Sequence, residues 1–300
     1  MSNQPKVTII GAGIIGVCCA LELQRAGCQV TLIDREEPGE GCSKGNAGVF
    51  AYDAVLPLIT PGLLRRLPSM LFDPMSPLAL GWRHLPFALP WMSRFLLNAL
   101  PNRVSANTNA LTQLLSRGEQ AYEDLLQGTE ARGLVHKTGW ATVFEKEQTY
   151  RASLHEVEIK RRQGVRIETL SGGALRERLP DLNPEVKHGL FMPDCWSTVD
   201  PHRLVELLAK QLIRDGAGFR RAEVSAISEK GGVPHIVTES GDEPCERLLV
   251  ATGAWSKKLA ASAGDAIPLD TERGYHLMVQ GNGINPAMPV MSGEHHFVTT

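Results

Sequence analysis

The stretch "VTIIGAGIIGVCCALELQRAGCQVTLIDR", Val7 to Arg35, decides the fold. "VTII" is a short β-branched run of the kind that forms a buried parallel strand. "GAGIIG" follows at once. Gly11 permits a tight turn, Gly13 lets backbone approach a pyrophosphate, and Gly16 lets a helix pack close to the strand. The helix N-terminus then faces phosphates with free N–H groups. Ile14, Val17, Ala20, Leu21 and Leu23 give that helix an apolar side, Gly27 ends it, and "QVTLID" supplies a second strand. Asp34 closes this strand, 18 residues beyond Gly16, where a carboxylate accepts hydrogen bonds from a ribose diol. A glycine triplet alone is a weak signal. Strand, glycines, helix, strand and terminal acid in this order point to an ADP-bearing dinucleotide. Asp34 repels a 2′-phosphate and so disfavours NADP. NAD and FAD share the ADP half and stay undivided at this point.

The 300 residues are 43% hydrophobic and 21% charged, ordinary for a soluble globular protein with one large core or two smaller ones. A formal net charge of -2 gives no basic field for nucleic acid. Nine histidines and six cysteines are scattered without CxxC or HExxH spacing, so no metal site is expected. Cys18 and Cys19, adjacent in the first predicted helix, read as packing residues. A dinucleotide-binding start fits a reducing, cytoplasmic compartment, which disfavours structural disulfides. "MSNQPK" leads straight into a strand and reads as no signal peptide. No run of about 18 apolar residues suggests a membrane span. The nearest is "PLALGWRHLPFALPWMSRFLLNAL", Pro77 to Leu100. Arg83, His84 and Arg94 interrupt it, and Pro86 and Pro90 are expected to break a helix. It reads as short buried helices. The alternative is peripheral contact of Trp82, Trp91 and the leucines with the inner face of a membrane.

"GEGCSKGNAGVF", Gly39 to Phe50, makes a poor core but a good loop for close backbone approach. A nicotinamide-binding domain usually continues there with a helix and third strand. This chain gives the loop, then a proline-bearing region from Pro57 to Pro101, which suits a longer cofactor whose far end lies under a second domain. One long helix is expected from about Thr108, with Leu111, Leu114, Leu115, Tyr122, Leu125 and Leu126 at helical spacing. "LVHKTGWATVFE" reads as strand, turn, strand, and "QTYRASLHEVEIKRRQG" as a helix with a charged face. "VRIETL" and "GLFMPDCWSTVD" read as strands, and "SGGALRERLPDL" as a helix stopped by proline. "DPHRLVELLAKQLIRDGA" is a helix capped by Asp200 with Pro201 first. Three strands follow from Ala222, turning at "KGG" and "SGD". A buried strand in "RLLVATGAWS" then ends at Thr252 and Gly253, small residues that let backbone pass close to a ligand.

Four stretches, "IIGAGIIG…LIDR", "SKGNAGVF", "VDPHRLVELLAKQLIRDGA" and "VATGAWS", together resemble the D-amino-acid oxidase-like family of FAD-dependent oxidoreductases. "GNAG" followed by "PGLLRRLPSMLFDPMSPLAL" looks most like the D-amino-acid dehydrogenase small-subunit branch, which includes D-hydroxyproline dehydrogenases. The resemblance implies an α/β protein with a discontinuous Rossmann-type FAD-binding domain, residues 1–50 and 198–265. An α+β substrate domain on an antiparallel or mixed sheet would take residues 51–197 and 266–300. It implies that Gly11, Gly13, Ile14, Ile15 and Gly16 hold the pyrophosphate and Asp34 with Arg35 the adenosine end. Ser43, Asn46, Ala47 and Gly48 match the loop running toward the flavin, Val224 the backbone contact to adenine, and Thr252, Gly253 and Trp255 a second flavin contact. Tyr275 and His276 in "ERGYHL" are the candidates for the substrate pocket, against a plain half-buried strand.

The implied chemistry is hydride transfer from a substrate Cα–H to flavin N5, run by placement more than by a dedicated base. The substrate would be a D-amino acid or cyclic imino acid, and the acceptor a quinone or electron-transfer chain before oxygen. Other readings are a glycine- or sarcosine-type amine oxidase, a non-catalytic or partner-dependent FAD-binding subunit, and a nicotinamide dehydrogenase. Family members continue beyond the equivalent of Thr300. "SGEHHFVTT" reads as the start of a strand with no return. That ending, the lack of a C-terminal glycine segment and the lack of a carboxylate clamp lead to the expectation of weak FAD retention and of slow turnover or none.

Overall fold

The structure is a computed structural model that describes residues 4–59, 85–269, 271, 273–279, 283 and 286–300. β1 (Lys6–Ile10), α1 (Ile14–Arg25) and β2 (Gln29–Asp34) form as their spacing predicts. β1 and β2 run parallel, with Val7 opposite Val30 and Ile9 opposite Leu32. Strand periodicity sends these four to the face that packs on Val17, Ala20 and Leu21 of α1. It sends Ile10 and Ile33 to the other face, against Ile227, Ile236 and Leu259. Both faces are covered, which is why these strands are almost continuously apolar. Cys18 and Cys19 pack against the first of these cores.

The glycine loop leads to β3 (Val49–Phe50). "PGLLRRLPSMLFDPMSPLAL" and Trp82 lie outside the described residues. α2 (Leu85–Leu97) corrects two expectations. The helix runs through Pro90 instead of breaking, at the cost of one N–H donor, and Ser93 Oγ donates back to the Pro90 carbonyl at 2.9 Å. It is also not buried: Leu89, Trp91, Leu96 and Leu97 are exposed, and Trp91 stacks on Phe95 at 4.9 Å. No helix among the described residues is long and apolar enough to cross a membrane.

The expected long helix is two helices, α3 (Pro101–Leu115) and α4 (Gly118–Leu126). The break has a packing cause. A Cβ at Gly118 would lie 2.8 Å from the Tyr52 ring, so the chain turns there to seat α4 on a side chain far away in sequence. A 3-10 turn at Glu130–Leu134 leads to β4 (Val135–His136), and Gly139 at φ 66 redirects the chain into β5 (Trp140–Phe144). These two strands join different sheets. α5 (Glu147–Arg162) follows, then β6 (Glu168–Ser171), which starts three residues later than expected. Ser171 caps α6 (Gly172–Arg178), and β7 (His188–Met192) and β8 (Trp196–Thr198) follow. α7 (Pro201–Arg214) opens as predicted, with Asp200 Oδ1 accepting from Arg203 N at 2.8 Å.

β9 (Gly218–Arg221) precedes the meander β10 (Ala226–Lys230), β11 (Val233–Thr238) and β12 (Gly241–Pro244). β13 (Arg247–Val250), α8 (Ser256–Ser262), β14 (Val290–Ser292) and β15 (Val298–Thr299) complete the described elements. The order β13-β1-β2-β9 is a parallel sheet, covered by α1 and α7 on one face and by the meander and α8 on the other. β13 is half-buried rather than buried, because it is an edge strand among the described residues. A second, mixed sheet has the order β15-β14-β5-β7-β6, and β3-β8-β4 is a small antiparallel one. The class is therefore α/β with an added mixed sheet, as expected. The C-terminal expectation is corrected: β15 folds back antiparallel on β14 through a turn at His296, φ 55. One of the three reasons for expecting weak FAD retention thereby falls.

Candidate dinucleotide site

The site lies at the carboxyl ends of β1, β2 and β13, where open parallel sheets present their loops. Gly11 N donates to Ile33 O at 2.8 Å, and Ala251 N donates to Ile10 O at 2.7 Å. A Cβ on Gly11 would meet Ala251 O at 2.3 Å, and one on Gly16 would meet Gly11 O at 1.8 Å. Gly16 thus serves helix packing, as expected. Gly11 serves the turn and also the close passage of the Ala251–Thr252 backbone. Gly13 differs: its Cβ would meet only Ser43 Oγ, at an ordinary 3.5 Å. Among the described residues no atom bars a side chain there, and Gly13 lines the groove.

Val17 N closes the first turn of α1 onto Gly13 O at 3.0 Å, leaving the N–H groups before it for other acceptors. Ser43 Oγ takes one of them, Ile14 N, at 3.0 Å. Asp34 is held at both oxygens: Ala12 N donates to Oδ2 at 2.7 Å and Glu36 N to Oδ1 at 3.0 Å. Asp34 lines the groove and keeps acceptor capacity beyond these two bonds. Asn46 is turned onto its own loop, accepting from Gly48 N and donating to Cys42 O and Ser43 O. Its part is to shape the loop. Gly48, at φ 62, packs against Thr198 O.

A groove of about 490 Å³ collects the predicted residues Gly11, Gly13, Ile14, Ile15, Asp34, Arg35, Ser43, Val224, Thr252, Gly253 and Trp255. Gly16, Asn46, Ala47 and Gly48 are not in its wall. Cys42 and Lys258 are, and neither belonged to a motif. The only signal for Cys42 was its place in the glycine loop. A larger cleft of about 640 Å³, lined by Lys6, Gln29 and Pro244, borders the opposite ends of the same strands, away from the glycine turn. Tyr275 and His276 stand in an exposed segment without strand pairing, which corrects the half-buried strand. The His276 ring covers Gly45, where a Cβ would come within 2.4 Å, so this segment does reach the loop. Tyr275 is 87% exposed.

The cysteines give a check on the groove. Burial, with Cys19 and Glu22 beside it, pushes the Cys18 thiol up to about 12. Burial and the Asp53 charge push Cys195 to about 12. At pH 8 both stay thiols. Cys42, exposed on the groove wall, is expected to alkylate first, and added FAD to slow it. Peptide mapping after iodoacetamide reads this; fast native labelling of Cys18 would contradict the packing.

A glycine turn, a helix N-terminus with Ser43 on its first N–H and a strand-end acid held at both oxygens are the elements of a dinucleotide-type Rossmann site. The family model "FAD dependent oxidoreductase" matches residues 6–300. The chain belongs to this family. It is 35% identical, over 99% of its length, to a D-amino-acid oxidase of Bradyrhizobium diazoefficiens and spans 72% of that protein. It is 29% identical, over 91% of its length, to a D-amino acid dehydrogenase of Sinorhizobium medicae, spanning 67%. Among solved structures, a dithionite-reduced L-α-glycerophosphate oxidase from Mycoplasma pneumoniae with FAD bound matches 97% of this chain. The TM-score is 0.62 at 17% identity, and the chain spans 65% of that structure. That likeness concerns the fold. The residues present fit FAD: the glycine cradle excludes side chains, and the donors and Asp34 complement a pyrophosphate and a ribose.

Proposed function

We propose that this member of the family oxidises the amine-bearing carbon of a D-amino acid or cyclic imino acid and passes the electrons to a quinone. The observation that carries it is the groove: a glycine turn, a helix N-terminus tuned by Ser43, and Asp34 doubly held. It lies in a chain alike over nearly its whole length to D-amino-acid-oxidising proteins. When bound, FAD supplies a two-electron acceptor. The chain's own residues bind and orient: the α1 N-terminus toward the pyrophosphate, Asp34 toward the ribose, Val224 backbone toward the adenine. The division into 1–50 with 198–265, and 51–197 with 266–300, belongs to the same proposal. His276, seated on the loop at Gly45, is the better of the two pocket candidates.

The quinone reading has its own support. Pro74 to Gly118 contains no aspartate or glutamate, but holds Arg83, Arg94, Arg103 and Arg117. Exposed Leu89, Trp91, Leu96 and Leu97 lie within it. Apolar side chains among cations suit the surface of an anionic bilayer, where a quinone is found. Supplied with excess FAD, which offsets the weak retention expected from the sequence, the chain is expected to show a visible flavin band and to reduce a quinone in anionic phospholipid vesicles when given D-amino acids. Peroxide formed in step with substrate loss would favour the amine-oxidase reading. A flavin band without turnover would favour the non-catalytic subunit.

A further inference from the structure

Arg35 and Trp255 stand on opposite walls of the groove. Arg35 follows β2, and Trp255 ends a 3-10 turn, Gly253–Trp255, beyond β13. β1 with its glycine turn lies between them in the sheet. Two strand spacings, about 9–10 Å, separate such strand ends. Yet the guanidinium carbon of Arg35 lies 4.3 Å from the centroid of the Trp255 ring. The arginine side chain therefore reaches across the mouth of the groove and rests on the indole.

Both ends of this contact are fixed in the backbone and free in the side chain. Arg221 Nε donates to Arg35 O at 3.1 Å, and Trp255 N donates to Thr252 O at 3.1 Å. The side chains themselves are exposed, Trp255 at 49%. The neighbouring carboxylate is engaged elsewhere, Glu36 with Arg221 at 3.2 Å. Among the described residues, the Arg35 guanidinium rests on an aromatic face and not on a carboxylate. A cation on an indole gains most when water is kept off it. A contact this exposed adds little to the fold and is easily opened.

We propose that Trp255 stands with Arg35 at the adenosine end of the groove, in place of the flavin contact that the resemblance implies, and that the two form a latch there: it opens to admit the dinucleotide, closes over it, slows its release, and so selects FAD over FMN. This rests on the FAD reading above. The selection follows because FMN has no adenosine half to lie behind the latch.

The test uses the purified chain, loaded with FAD or FMN, and follows release by recovery of flavin fluorescence on dilution. Arg35→Ala and Trp255→Leu are expected to speed FAD release by about threefold to thirtyfold, the span of an exposed to a desolvated cation–π contact. FMN affinity and the melting temperature should stay at wild-type values. Trp255→Phe, which keeps an aromatic face, should stay close to wild type. Unchanged FAD release in both variants would overturn the latch while leaving the FAD reading intact. Equal losses for FAD and FMN would overturn it too. A wild-type chain that takes up no FAD would overturn both.

Discussion

A Gly11→Ala variant is expected to lose both cofactor and stability, whereas Gly13→Ala is expected to lose the cofactor alone. Gly11 sits at φ 108, a conformation that L side chains rarely adopt. Its added methyl would lie 2.3 Å from Ala251 O and 2.6 Å from Ala251 C, and neither atom can swing away as a side chain would. Backbone strain of about 1–3 kcal/mol and overpacking of about 1–3 kcal/mol add to roughly 2–6 kcal/mol. That is a large fraction of a domain's total stability, about 5–15 kcal/mol. Gly13 stands at φ -74, open to any residue, with 3.5 Å of clearance to Ser43 Oγ. Alanine fits the protein there but places a methyl where backbone must approach the pyrophosphate. Denaturant midpoints and visible absorbance separate the two effects. A Gly13→Ala chain with stoichiometric flavin would sink the groove argument. A Gly11→Ala chain with an unchanged midpoint would sink the packing one.

The contrast between these glycines shows what local pattern can and cannot carry. The order of strand, turn, helix and acid from Val7 to Asp34 is a local pattern, and the structure follows it residue by residue. So does the Asp200 cap with Pro201, because a cap and the helix it starts are neighbours in sequence. The passage of Ala251 over Gly11 spans 240 residues, and nothing near Gly11 announces it. The same reason hid the break before Gly118, which answers to Tyr52, and the parting of β4 from β5 into separate sheets. The leucine spacing from Leu111 to Leu126 was compatible with one helix or two; only the distant ring decides. The reach of Arg35 to Trp255 is likewise a property of the strand order.

Replacing Lys160 with methionine is expected to cost about 3 kcal/mol, although Lys160 lies on α5, well outside any motif. Its Nζ donates to Asp53 Oδ2 at 2.8 Å, and the Asp53 side chain is 1% exposed. Asp53 Oδ1 accepts from Trp140 Nε1 at 3.0 Å and from Cys195 Sγ at 3.4 Å. Every contact to this carboxylate is thus a donor, and only one carries charge. Removing the ammonium leaves a buried charge without its counterion, which costs about 3–5 kcal/mol in fully buried pairs. Lys160 is 23% exposed, so water offsets part of the loss and the lower end applies. The position of the cluster gives the loss a functional side. Asp53 follows β3, which leaves the glycine loop at Gly48. Trp140 is on β5, and Cys195 immediately precedes β8. The cluster therefore ties the far end of the glycine loop to the mixed sheet. Asp53→Asn in the Lys160→Met background removes the unpaired charge and keeps an acceptor for Trp140, so it should restore at least half of the loss. A single-variant loss below about 1 kcal/mol would mean that water already solvates Asp53, and that the pair is a surface ion pair in effect. A full loss with no recovery in the double variant would place the cost in the packing of the lysine stem instead of in the charge.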